Sequence, residues 1–279
     1  MNIMYCGDKN IEDGLIISVL SLLRNAGEPL DIRVLTLSLD LGKRKLEPVS
    51  QEVIDFLDDY LKRDDPENRI VRIDMSEPFS RELPKANMNT RFTPCCMLRL
   101  YADEVESIPD RILYLDNDVV CRKPLGEFYR MDLTGHEAAG VLDYYGRWFF
   151  RRSVLHRDYM NSGVLLLNMK MIRRTGLFRR CRKMCQTKKM FMPDQSAFNK
   201  LCNTKLIVSR RYNEQRKLHR NTVLQHFTTS FRFLPWLHTV TVKPWQIEKV
   251  HSDLGLHEYD NIFSEYTDVK SQMKGAYHG

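Results

Sequence analysis

Short apolar runs take turns with longer amphipathic stretches over the first 120 residues, and this alternation restricts the fold more than any other feature. Ile3-Met4-Tyr5-Cys6 reads as a buried strand. Residues 11–25 follow as a largely apolar helix, with Asn10 as N-cap, Glu12 and Asp13 in its first turn and Gly27 closing it. Ile32 to Leu37 is a second strand, 51–62 a helix with Val53, Leu57, Tyr60 and Leu61 on one face, and Ile70 to Ile73 a third strand. Residues 94–106 read as helical, and RILYLD, Arg111 to Asp116, is the clearest strand of all. Strands and helices in this order build an α/β fold with a mostly parallel sheet covered on both faces, a layout that suits nucleotides.

Beyond residue 130, Ala138 to Asp143, Gly163 to Asn168, Lys205 to Val208 and Val223 to Phe227 read as strands, 170–187 as a basic helix and 194–202 as a short helix. Residues 1–249 form one expected catalytic domain. The polar, weakly patterned residues 250–279 are expected as a tail packed on it or peripheral to it.

Charge is unevenly spread. The net +7 is concentrated in 147–157 and 170–189, which attract anions such as nucleotide phosphates, lipid headgroups or nucleic acid, or else are solvated helix faces. Seven cysteines include no CxxC pair, so they read as reduced thiols in a cytoplasmic protein. The longest apolar stretch, Leu15 to Leu23, is too short to span a membrane.

Asp116-Asn117-Asp118 is the one Asp-x-Asp triplet and closes the clearest strand. Alternation along a strand points Asp116 and Asp118 the same way, at the edge where open α/β sheets bind ligands. Two convergent carboxylates make an oxygen site for Mg²⁺ or Mn²⁺ that could also grip a diphosphate. No GxGxxG follows the first strand and no GxxxxGK[ST] occurs, which argues against a dinucleotide dehydrogenase or a P-loop enzyme.

Asp8 and Asn10, Arg99 in CMLRLYADE, RILYLDNDVV, YMNSGVLLLNM, MPDQSAFN and VKPW together resemble family 8 glycosyltransferases, in the family's order and over nearly the whole chain. The resemblance implies a GT-A fold and retaining transfer of a hexose from a UDP-sugar, normally with Mn²⁺. It implies that Asp8 and Asn10 meet uracil and ribose, with the backbone near Tyr5 and Cys6. Arg99 would contact the donor, with Asn117 in the same set. Asp116, Asp118 and His226 would hold the metal and Lys243 the diphosphate. Asp143, Asn161, Ser162, Asp194 and Gln195 would surround the transferred sugar, with Gln195 and Asp194 as the catalytic residues and Gln195 nearest on the face opposite the leaving group.

Two departures from the family pattern stand out. His226 and Lys243-Pro244-Trp245 are separated by sixteen residues without the usual glycine, so Arg232 is an alternative to Lys243. Ile11 stands where an aromatic is frequent.

The residues also admit simpler roles. Asn161 could cap a turn, Asp194 could be the N-cap of the helix after Pro193, and His226 could be a satisfied edge histidine. A sugar-phosphate nucleotidyltransferase and a basic protein binding nucleic acid or a membrane surface are the competing readings; with the transferase, no nucleic-acid partner is expected. Galactose or glucose as the sugar and a cell-envelope glycan or glycolipid as the acceptor follow from the resemblance alone.

Overall fold

The structure, a computed structural model, describes residues 1–42, 45–88, 94–144, 158–228, 230–232 and 238–277. The basic segment 147–157 and the side chain of Arg232 lie outside the described residues. Seven strands form the central sheet: β1 (Asn2–Cys6), β2 (Asp31–Thr36), β3 (Arg69–Asp74), β4 (Arg111–Leu115), and, after the short strand β5 (Val119–Cys121), β6 (Ala138–Leu142), β7 (Met160–Asn168) and β8 (Lys205–Ile207). Their order across the sheet is β8-β6-β7-β4-β1-β2-β3. Every pairing is parallel except the two made by β7, which runs against β4 and β6.

Alternating side chains divide the core into two layers. Ile3 and Tyr5 of β1, Leu113 and Leu115 of β4, and Val164 and Leu166 of β7 join one cluster. Met4, Ile112, Tyr114, Leu165 and Leu167 join the other. A sheet buried on both faces needs apolar residues at every position, which is why these strands read as continuous apolar runs.

Helix α1 (Glu12–Asn25) is buried from Gly14 through Leu22 because it lies between the sheet and other helices. Its start differs from the sequence reading. Ile11 stands at its N-cap without a side-chain bond, while Asp8, two residues before Asn10, caps a 3₁₀ turn at Lys9–Ile11. Helix α2 (Gln51–Asp64) buries Val53, Ile54, Leu57 and Leu61, with Ser50 as its N-cap. The helix expected over 94–106 is a 3₁₀ helix at Pro94–Glu104.

The expected basic helix is two. Gly176, at φ 64°, breaks it into α3 (Met169–Thr175) and α4 (Leu177–Thr187), since left-handed backbone ends a helix and glycine adopts it without strain. Arg182 of α4 points inward, into a nest of Glu82, Asp103 and Glu104. Further elements that bear on the site or cover the sheet are α5 (Pro193–Leu201), β9 (Leu224–His226) paired antiparallel to β5, α6 (Ile247–Leu254) and α7 (Asp260–Tyr277). Residues 260–277 are thus a helix, docked on α1 and α2 through buried Ile262, Phe263 and Val269 and through Arg24–Glu265. All seven cysteines are free thiols. Among the described residues no helix is long and apolar enough to cross a membrane.

Candidate active site

A cleft of about 410 Å³ opens where β1 and β4 end and β7 begins. That size suits a nucleotide-sized ligand. Antiparallel β7 supplies its first residues, Asn161 to Gly163, to the same sheet edge at which parallel β4 delivers its last, because Leu115 pairs with Val164.

Asp116 and Asp118 do converge here, but by a turn and not by strand pleating. β4 stops at Leu115, and Val119 N–H donates to Asp116 O at 3.1 Å. Each side of the turn is held by a different neighbour, β7 and the residue after β9: Asp116 N–H donates to Gly163 O (2.8 Å), and Phe227 N–H to Asp118 O (2.9 Å). Gly14 lets α1 approach this turn closely, since a Cβ there would lie 2.5 Å from Asn117 O and 2.7 Å from the Trp245 ring. His226 ends β9 opposite Val119, and this pairing sets its Nε2 3.2 Å from Asp118 Oδ1 and 3.7 Å from Asp116 Oδ2.

The imidazole is oriented by a chain of amides. Gly163 N–H donates to the Asn161 side-chain oxygen (3.0 Å), and Asn213 Nδ2 donates to that same oxygen (2.9 Å). Asn161 Nδ2 donates to Asp143 Oδ2 (3.1 Å). These bonds fix which end of each amide is oxygen, leaving Asn213 Oδ1 to face His226 Nδ1 at 3.2 Å. An acceptor there requires the proton on Nδ1, so Nε2 is the nitrogen that faces the two carboxylates.

One oxygen of each carboxylate is already used. Asp116 Oδ1 accepts from Tyr114 Oη (2.6 Å) and Arg99 Nη2 (3.0 Å), leaving Oδ2 toward His226. Asp118 Oδ2 accepts from the Lys243 ammonium, which also donates to Phe227 O, while buried Oδ1 is approached by His226 Nε2 alone, at 3.2 Å. The three atoms that face one another, Asp116 Oδ2, Asp118 Oδ1 and His226 Nε2, lie within 4.8 Å of one another. Gly163 keeps the space beside them open, for a Cβ would stand 2.2 Å from His226 Cε1 and 2.9 Å from Asp116 Oδ2. Two carboxylate oxygens and one imidazole, each oriented by another group, fit a divalent cation such as Mn²⁺ or Mg²⁺.

The charges at this corner act strongly on one another. Burial works against charge on Asp118, yet Lys243 and His226 outweigh it and hold its carboxyl well below the usual carboxylate range. Burial likewise opposes charge on His226, but Asp118 and Asp116 raise its pKa above the ordinary value.

The residues expected around the sugar form a second network. Arg99, carried by the 3₁₀ helix, is 5% exposed and lies 3.9 Å above the Tyr114 ring. Its guanidinium bonds Asp116, Ser162 O and Cys96 O and pairs with Asp194 at 3.3 Å. Asp194 is therefore not the N-cap of α5, a place that Met192 takes. Gln195 Oε1 accepts from Ser162 N–H (2.9 Å) and Oγ (3.1 Å), and its Nε2 donates to Asp143 (2.9 Å).

Most of the expected residues line the cleft: Cys6, Asp8, Asn10, Arg99, Asn117, Asn161, Ser162, Asp194, Gln195 and Lys243 join Asp116, Asp118 and His226. Tyr5 and Asp143 do not. Tyr5 turns into the core, its hydroxyl 2.8 Å from Ser18 Oγ, and Asp143 braces Asn161 and Gln195 from behind. Asn161 lies within β7 and not before it. Asp8 Oδ1 accepts from Asn10 N–H and Nδ2, and its buried Oδ2 has no partner. Sequence reasoning missed Tyr114 and Asn213. Tyr114 precedes Asp116 by one strand repeat, a signal that was available, whereas Asn213 sits in an irregular loop with none.

A family model described as Glycosyl transferase family 8 matches residues 2–248. The chain belongs to that family. Its members are glycosyltransferases, and the solved structures it resembles share its GT-A fold. An active-site mutant of LgtC superposes with a TM-score of 0.69 at 18% identity, covering 98% of this chain and 96% of that one. The galactosyltransferase LgtC in complex with donor and acceptor sugar analogues gives 0.65 at 18%, covering 96% of each. GlyE from Streptococcus pneumoniae gives 0.61 at 18%, covering 96% of this chain and 64% of that one. A probable glycosyl transferase, Gly, of Streptococcus gordonii is 35% identical over 85 residues, which span 30% of this chain and only 11% of that protein.

Proposed function

We propose that this family 8 glycosyltransferase moves a hexose from a UDP-sugar to a hydroxyl of a glycan or glycolipid, with retention of configuration and dependence on Mn²⁺ or Mg²⁺. The observation that carries the reading is the corner where Asp116 Oδ2, Asp118 Oδ1 and His226 Nε2 face one another beside Lys243. A cation bound there would supply Lewis-acid stabilisation of the departing diphosphate.

The rest falls to the chain's own side chains. Lys243 moves from Asp118 to the diphosphate and adds a fixed charge where negative charge develops. Asp8, with its unpartnered buried oxygen, and Asn10 receive the uracil and ribose, alongside Asn117 and the backbone at Tyr5 and Cys6. Arg99 holds Asp116 and Asp194 in place and presents its remaining edge to the donor. Asn161, Ser162, Asp194 and Gln195 grip the sugar, with Asp143 fixing two of them. Both ends of the Gln195 amide are hydrogen-bonded, which supports an orienting role over attack on the sugar. The acceptor hydroxyl then approaches on the face the leaving group vacates, its proton passing to a diphosphate oxygen. A panel of UDP-sugars with Mn²⁺, scored by UDP release in the presence of acceptor glycans, tests the reading; release from none of them overturns it.

The acceptor's setting is part of the proposal. Between Asp158 and Asp194 the chain holds nine Lys and Arg and no acid. Arg179, Lys183, Lys188 and Lys189 are exposed, and Phe191, 68% exposed, follows them beside the cleft residue Met192. This face suits the anionic inner surface of a membrane that carries a lipid-linked acceptor, with the enzyme on the cytoplasmic side. Salt-sensitive sedimentation with anionic vesicles, lost when Arg179 and Lys183 become Glu, checks it; equal sedimentation of that variant contradicts it.

A further inference from the structure

Away from the cleft, two histidines and an aspartate meet where α6 hands over to α7. His251 lies in the last turn of α6, Gly255 at φ 60° turns the chain, His257 follows in the connection, and Asp260 begins α7. His251 Nε2 is 2.7 Å from Asp260 Oδ1, and His257 Nδ1 is 3.1 Å from Asp260 Oδ2. The two imidazoles stack with centroids 4.4 Å apart and planes 20° from parallel. All three donor atoms lie within 4.8 Å of one another, and none of the three residues lines the cleft.

We propose that His251, His257 and Asp260 form a second cation site, for a borderline ion of the Zn²⁺ class. Two imidazole nitrogens and one carboxylate oxygen are a zinc-type donor set, with a water completing four-coordination at this open position. The set differs in kind from the oxygen-dominated corner in the cleft, which suits harder ions. Without a cation, one carboxylate must serve two stacked rings, and protonating both would set two positive charges face to face. A single divalent ion satisfies all three groups together. To point at one ion, one ring must turn about its Cβ–Cγ bond; His257, with its side chain 65% exposed, is free to do so. Zinc there would staple α6 to α7. Helix α6 follows directly on Lys243, whose N–H donates to the Gln246 side chain at 3.0 Å, so the staple would also steady the segment that carries Lys243.

The test uses the full chain with Asp118→Asn and His226→Ala, so that the cleft corner no longer competes, and titrates it with Zn²⁺ by calorimetry. The expected result is uptake of one equivalent and a rise of roughly 5 °C in Tm at about a hundred times Kd. Adding His257→Ala, or the near-isosteric Asp260→Asn should the first variant fold poorly, should weaken uptake at least about 100-fold. Co²⁺ should give visible absorption bands in the first protein and not in the second. Zn²⁺ uptake that is absent, or unchanged by both substitutions, would show a hydrogen-bond cluster only and overturn the proposal.

Discussion

Lys243 gives its ammonium to Asp118 Oδ2, while the other oxygen of the same carboxylate faces His226 Nε2 at 3.2 Å. In the nucleotide-free protein the lysine therefore partly neutralises one ligand of the proposed metal. Replacing Lys243 by Met should strengthen Mn²⁺ binding several-fold without nucleotide, while weakening UDP binding by about 10- to 100-fold, since a charge-assisted contact to the diphosphate is lost. Opposite changes in two calorimetric titrations are the signature. Parallel losses would mean that Lys243 merely braces the site.

Gly163→Ala should spoil the metal corner without unfolding the sheet. The added methyl would meet His226 and Asp116 Oδ2 at distances no side chain tolerates, so one ligand must move. Mn²⁺-linked activity should fall by more than about 100-fold, a displacement near 1 Å being sufficient for that. Circular dichroism should keep its native form. A variant with native activity would show that the open space beside Gly163 is unused.

Asn213 acts through His226. Asn213→Ala frees the imidazole to rotate and lose its tautomer, and Mn²⁺ affinity should drop about 10- to 100-fold, with a smaller change in Tm. Nothing in the sequence around Arg211 to Gln215 announces this residue, which matters through where the chain passes and not through any local pattern. The layered sheet, by contrast, was legible, because strands buried on both faces must be apolar throughout. The convergence of Asp116 and Asp118 was legible, but through a pleat that the pair does not use. The pairing of β5 with β9 that brings His226 to it joins residues about a hundred apart, and no short-range signal encodes such a contact. The α4 start was missed although Gly176 was visible, because the basic periodicity on both sides masked the break.

Metal affinity should depend on pH through His226. Its pKa is raised above the ordinary 6.5, so a cation must displace a proton. Affinity should therefore fall about tenfold per pH unit below that raised value and level off above it. The same protonated histidine stabilises the metal-free fold fully below its unfolded pKa, and that stability is lost as pH rises through the raised one. Asp118 contributes oppositely: its depressed pKa gives stability above the ordinary 3.8 that is lost on acidification. Titrations of Mn²⁺ from pH 5.5 to about 8.5 read the first effect directly. A flat profile contradicts it.

Arg99→Leu should destabilise the protein by about 3–5 kcal/mol, because it leaves Asp194 buried without its counter-charge and takes one partner from Asp116. Arg99→Lys should recover only part of this, as an ammonium cannot serve both carboxylates, Ser162 O and the Tyr114 ring together. Urea unfolding measures both, and equal stability of the lysine variant would show that charge alone suffices.

The most direct test of the whole account is calorimetric titration of UDP into the protein with Mn²⁺ and again with EDTA, alongside Asp118→Asn. Cation-linked binding should appear in the first case and weaken by at least about 100-fold in the other two. Equal UDP affinity in all three would contradict the claim that Asp116, Asp118 and His226 hold a cation against the donor's diphosphate.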